Sequence, residues 1–235
     1  MGTLATSLGL GLRQLLDGAV LRIVLKSVAV SVILFLLVAG GGWFLLDWLL
    51  ARGGLDDTLF AGAGAIRGAL AFLVALLGLW LVWRIVAMAV IQFFADEVVQ
   101  AVEARYYPEA AHTARELPLA EQARNALGSA GRALLANLIA LPFALVLLFT
   151  GVGTFALFLL VNALLLGREL QDMVWLRHRH AQGVQAPIGR TERFLLGGII
   201  AALLAIPFVN FLAPVLGAAS ATHLLHRNSR LQKAA

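Results

Sequence analysis

Few side chains in this sequence are placed to make or break bonds. No serine sits in a nucleophile-elbow pattern, no zincin-type helix occurs and no Walker-type loop is present, so an enzyme is not expected. His178 and His180 stand two residues apart, on different helical faces, and with Arg177 and Arg179 they read as a basic interfacial cluster. His223 and His226 are three apart and could touch one ion, but two ligands do not make a site; no metal and no cofactor are expected. The absence of cysteine excludes disulfides, thiolate metal sites and cysteine nucleophiles. What remains suits binding. Apolar helices are interrupted at Gly151 and Gly153 and at Pro207, Asn210 and Pro214, and each break presents helix ends at membrane depth. Helix N-termini carry partial positive charge and free N–H groups, a ligand set for oxyanions, and broken helices are where transporters place substrates. Asn162 and Asn210 are amide candidates near such ends, with helix capping or cross-linking as the plainer role.

The elements that position these residues belong to a membrane protein. The 235 residues are 61% hydrophobic and 13% charged, against about 25% charged in soluble domains. The apolar stretches do not alternate, so they are helices and not barrel strands. The expected fold is all-α and integral to the membrane, a single domain over residues 1–235. The net charge of +5 comes from basic residues flanking apolar segments. That placement favours anionic lipid headgroups, then an anionic solute, as partners, with no role for nucleic acid.

Residues 1–19 lack a signal-peptide pattern. Leu4, Leu8, Leu12, Leu15 and Leu16 share one helical face, as in a helix lying at the interface. Residues 23–50 form a first span, with Lys26 at one end and Trp43 and Trp48 toward the other; Asp47 can reach water or Arg52. Residues 68–106 form a second span continued by a polar extension that Pro108 ends. Gly64 and Gly68 have small-residue contact spacing. Arg84 lies inside this span, as a functional cation or as the partner of Asp172 or Glu169. In the extension Asp96, Gln100 and Glu103 fall on one face and Val98, Ala101 and Val102 on another.

Residues 119–167 combine an amphipathic stretch with an apolar region broken at Thr150-Gly151-Val152-Gly153. Each half of that region, roughly 15 residues, is too short to cross, and the whole is too long, so a re-entrant hairpin is expected, with Pro142 kinking its first arm. Residues 194–225 repeat the pattern around Pro207 and Pro214, and 226–235 form a basic tail. Charge placement supports two spans plus two hairpins. Arg13, Arg22 and Lys26, then Arg105, Arg115, Arg124 and Arg132, then Arg168, Arg177, Arg179, Arg190 and Arg193, and finally Arg227, Arg230 and Lys233 all fall on one side. Only Arg52 and Arg67 lie opposite, which satisfies the positive-inside rule with both termini cytoplasmic.

Five stretches in order resemble the CysZ sulfate permease family, which shares its domain with the etoposide-induced membrane proteins. Residues 11–24 resemble its approach to the first span, Val102-Glu103-Ala104-Arg105 its helix leaving the second, and Gly151-Val152-Gly153 its Pro-Gly-Ile-Gly turn. Gly167-Arg168-Glu169-Leu170 resembles its Gly-Arg-Glu-Tyr element, and residues 206–222 its Ile-Pro-x-x-Asn hairpin. The resemblance implies two long spans, two hemi-penetrating helix pairs, a homo-oligomer in the bacterial inner membrane, and sulfate uptake for sulfur assimilation without ATP hydrolysis by this chain. It places sulfate ligands at a Gly-Ile/Leu-Arg-Arg motif. Here that motif reads Ala19-Val20-Leu21-Arg22, so Arg22 is retained and Leu21 replaces the other arginine; Arg13 and Lys26 are nearby. The alternative is a non-transporting membrane protein that organises lipid or a partner through its basic helices.

Overall fold

A computed structural model describes residues 2–52, 78–83, 86, 94–179, 186–206 and 209–234, with the side chains of residues 43, 45–52, 233 and 234 excepted. Gly64, Gly68, Arg84, His180 and Pro207 lie outside the described residues. The chain is all-α, as its composition requires, and among the described residues there is no strand. In chain order the elements are α1 (Gly2–Gln14), α2 (Gly18–Arg52), α3 (helical residues 94–106), α4 (Pro108–Thr113), α5 (Leu119–Leu147), α6 (Val152–His178), α7 (Arg190–Leu204) and α8 (Ala213–Ala234), with 3-10 turns at Leu148–Thr150 and Val209–Phe211. They fall into two compact units, one of residues 1–23 with 95–235 and one of residues 24–94.

In the smaller unit the rings of Phe35 and Trp83 meet edge-on at 5.4 Å, and the Lys26 ammonium lies 4.8 Å from the centre of the Phe94 ring. Apolar side chains along this part of α2 face outward, Leu36 and Leu37 at 63% and 66% exposure. Left in water, a leucine or valine forgoes about 1.5–3 kcal/mol of burial; a hydrocarbon surround removes that cost. Gly18–Gly42, Leu119–Thr150 and Val152–His178 are each long and apolar enough to cross a membrane.

The larger unit is built around α8. Every residue from 213 to 226 is buried, because α1, α6 and α7 all pack on this helix. Its run of Ala, Gly, Ser and Thr lets neighbouring backbones come close. Pro214 does not break a helix here: it sits in the first turn of α8, where its missing N–H would have no partner anyway. Close crossings recur elsewhere. A Cβ built at Gly11 would collide with Ser220 Oγ, and one at Gly197 with the Ala163 carbonyl oxygen and the Gly167 backbone, so α1 meets α8 and α7 meets α6 through glycine.

The interior face of α1 is Leu4, Ser7, Gly11 and Gln14, packed on α8, while Leu12 and Leu16 point outward. At Gly11 the crossing is too tight for a larger side chain, so a small and polar face goes in together with Leu4, and Leu12 and Leu16 remain available to lipid. The arms flanking Gly151 are also longer than their apolar halves, 29 residues in α5 and 27 in α6. No breaker separates the amphipathic stretch at Leu119 from the apolar arm, so one helix runs through both, with Pro142 inside it. Length therefore does not exclude a crossing by either helix.

The turn between α5 and α6 falls where the glycines predict it. Gly151 adopts φ 61°, ψ −55°, and the Gly153 N–H donates to Thr150 Oγ1 at 3.1 Å. Around this turn Phe149 and Val152 are 94% and 78% exposed, an apolar tip suited to hydrocarbon. Val209–Phe211 form a 3-10 turn between α7 and α8, and the two helices pack on each other.

Candidate functional site: a buried carboxylate and an arginine-lined cavity

Ala95, Val98, Val99 and Val102 give α3 one apolar face, which is buried. Glu103 lies at its edge, next to Val102 and one turn beyond Val99, and goes in with it to full burial. A buried carboxylate survives only if paired. Three cations or donors meet it. His178, the last residue of α6, brings Nε2 to 2.7 Å from Glu103 Oε1; His226 of α8 brings Nε2 to 3.1 Å from the same oxygen; the Arg177 guanidinium stands 3.6 Å from Oε2. The negative C-terminal end of α6 favours this Arg-His pair where it sits. Burial by itself raises the Glu103 pKa, but the bonds from His178 and His226 and the charges of His178 and Arg177 outweigh it and bring the carboxyl down from 4.5 to about 2. Glu103 is a fixed anion at neutral pH.

A second chain of polar contacts adjoins it. Tyr107 Oη lies 2.8 Å from His223 Nδ1, and the Gln14 amide nitrogen 2.7 Å from His223 Nε2. With Gln14 donating, the imidazole proton rests on Nδ1 and is donated to Tyr107. Burial raises the Tyr107 pKa against the pull of Arg230 and Arg227, so the phenol keeps its proton. The Tyr107 and His226 rings are 4.6 Å apart, and those of His226 and His178 5.0 Å, which joins the two groups into one aromatic and polar centre. His223 and His226 thus point to different partners.

Asp17 links this centre to the start of α2. Its Oδ1 accepts from the Ala19 N–H at 3.1 Å, an N-cap for the helix that carries Arg22, and its other oxygen pairs with Arg105 of α3.

A cavity of about 640 Å³ opens beside the carboxylate centre, bounded by α3, the 115–117 connection, α5 and α6. Six arginines line it (Arg115, Arg124, Arg132, Arg168, Arg177 and Arg179) against the carboxylates of Asp96, Glu116, Glu169 and Asp172. The arginines double up on their partners. Arg115 forks onto Glu121 with bonds of 3.1 and 2.8 Å while Arg179 approaches the same group at 3.7 Å, and Arg132 and Arg168 share Asp172 at 3.8 and 3.6 Å. Asp172 therefore has its own arginine neighbours on α5 and α6. Two buried donors on the cavity lining, Arg115 Nε and Asn125 Nδ2, have no hydrogen-bond partner among the described residues. The surplus of positive charge and the two open donors equip this cavity for an anion.

The residues singled out from the sequence are dispersed. Arg22 is exposed in the second turn of α2, and Arg13 is exposed in the last turn of α1. Lys26 lies four residues beyond Arg22 on α2, against Phe94. Gly151 and Gly153 form the α5–α6 turn. Asn162 donates to the Phe158 carbonyl of its own helix at 2.8 Å, and Asn210 sits in the 3-10 turn before α8 with its Oδ1 buried and without a hydrogen-bond partner among the described residues. Pro214 is buried. Missing from the sequence expectations are Glu103, His178 and His226 as one centre and the arginine cavity.

A helical protein of this hydropathy, with three helices long and apolar enough to cross a membrane, is an integral membrane protein. The model of the family described as sulfate transporter CysZ/etoposide-induced protein 2.4 matches residues 7–214. The chain belongs to that family. No curated protein and no solved structure matches it.

Proposed function

We propose that this chain is an anion permease or channel of the bacterial inner membrane, with sulfate its leading solute and no ATP hydrolysis of its own. Family membership supports the class of solute. The observation that carries the reading is the arginine cavity, in which guanidiniums outnumber carboxylates and two buried donors await an acceptor. Arg22 recruits the anion on α2, assisted by Arg13 and Lys26, and the cavity receives it on the cytoplasmic side. Two spans and two hairpins, both termini cytoplasmic, form the protomer of a homo-oligomer whose basic flanks rest on anionic headgroups. Asn210 and the helix ends at the two breaks line or brace the path.

Sulfate binding to the detergent-purified protein tests this. Arg22→Ala and Arg124→Ala should each weaken sulfate binding several-fold while the melting temperature without sulfate stays the same. Binding that neither variant alters would remove the assigned path.

A second reading rests on Leu21, which stands exposed where the family motif has an arginine. On that reading the chain organises lipid or a partner and moves no solute. It predicts thermal stability that responds to anionic lipid and is indifferent to sulfate.

A further inference from the structure

Glu103, His178 and His226 reach one point from three different helices, α3, α6 and α8. Their ligating atoms all lie within 4.8 Å of one another, and all three side chains are buried or nearly so, at 1%, 10% and 8% exposure. Two imidazole nitrogens and one carboxylate oxygen form the donor set of borderline divalent ions such as zinc. We propose that this centre is a divalent-metal site, with Glu103 Oε1 and the Nε2 atoms of His178 and His226 as ligands to Zn²⁺ or a similar ion.

The geometry is close to what the ion needs. Bonds of about 2.0–2.1 Å in a tetrahedral site set ligand atoms roughly 3.3 Å apart. The carboxylate oxygen is now 2.7 and 3.1 Å from the two nitrogens, and all three ligand atoms lie within 4.8 Å of one another, so bringing each gap toward that tetrahedral spacing admits the ion. Small side-chain rotations supply that much. The two imidazoles bind through Nε2 as neutral rings, each with its proton on Nδ1. The surroundings also hold the ligands in place. Arg177 stands at 3.6 Å from Oε2, the oxygen not used for the ion, and balances the charge on that side of the carboxylate. The Tyr107 ring lies against His226 at 4.6 Å and fixes the imidazole. Three protein ligands leave the fourth position of the ion open. Sequence spacing hides this set, since His178 is 75 residues and His226 123 residues from Glu103.

The test uses the full-length protein with no affinity tag, stripped with chelator, and Zn²⁺ or Co²⁺ alone as probe. Wild type should bind one Zn²⁺ per chain by calorimetry and gain several degrees of melting temperature. Co²⁺ should give the visible absorption of a four-coordinate nitrogen and oxygen site. Glu103→Gln and His226→Gln should each lower Zn²⁺ affinity at least tenfold, and His112→Ala, at an exposed histidine, should not. Should a Gln variant fail to fold, the wild-type stoichiometry and Co²⁺ spectrum decide alone. Absence of stoichiometric binding by wild type, or binding that the Gln variants leave unchanged, would overturn the site and leave the cluster a hydrogen-bonded one.

Discussion

The Arg177 guanidinium stands 3.6 Å from the Glu103 carboxylate and at the same time lines the arginine cavity. One side chain therefore belongs both to the pair that holds α3 against α6 and to the surface on which an anion would arrive. Stability and function meet there, and the two can be separated by mutation.

Removing the carboxylate leaves Arg177, His178 and His226 facing one another. Breaking a buried pair in this way costs about 3–5 kcal/mol. Glu103→Ala is expected to lose that much in denaturant unfolding of the detergent-solubilised protein, with Glu103→Gln losing less because it can still accept one bond. A loss under 1 kcal/mol for the alanine variant would show that the cluster does not hold these helices.

The same group sets an acid limit. Its folded pKa is about 2, below its ordinary value of 4.5. A depressed carboxyl pKa contributes stability that is complete above 4.5 and is lost as pH falls from there toward 2. Wild-type melting temperature should therefore decline over that window more steeply than that of Glu103→Gln. Parallel curves would assign the acid loss to other groups.

The α6–α7 crossing predicts opposite outcomes for adjacent glycines. A Cβ at Gly197 runs into the Ala163 carbonyl and the Gly167 backbone, atoms that cannot rotate away, and Gly197→Ala should cost about 1–3 kcal/mol. At Gly198 the nearest atom is the Ala163 Cβ at 3.5 Å, an ordinary contact. Gly198→Ala should be neutral or gain about 0.5–1 kcal/mol from helix propensity. Equal thermal shifts for the two would contradict the crossing.

Helix class, membrane character and the glycine turn at 151 were legible because each has a local cause: apolar runs without alternation, hydropathy, and a backbone angle that glycine adopts at little cost. The inner face of α1 was not legible. Periodicity marks which side is apolar, but Gly11 packs against Ser220, more than 200 residues away, and that contact decides which side goes in. Glu103 shares a polar arc with Asp96 and Gln100 but also borders the buried Val99 and Val102, and its partners on α6 and α8, distant in sequence, are what make its burial possible. Helix lengths around Gly151 were underestimated because an apolar count stops where amphipathic sequence begins, and the helix does not.

Topology is testable because the chain has no cysteine. A single cysteine replacing Arg179 should react with an impermeant thiol reagent only from the cytoplasmic side. One replacing Val152, at the apolar tip, should be poorly labelled from either side. Labelling of position 179 from the periplasm would sink the two-hairpin arrangement.

Radiolabelled sulfate uptake into liposomes holding the purified protein tests anion transport most directly. Uptake above that of empty liposomes, reduced several-fold by Arg22→Ala, is the predicted result. Uptake no greater than that of empty liposomes, from protein shown to be folded by its melting transition, would contradict it and favour the membrane-organising reading.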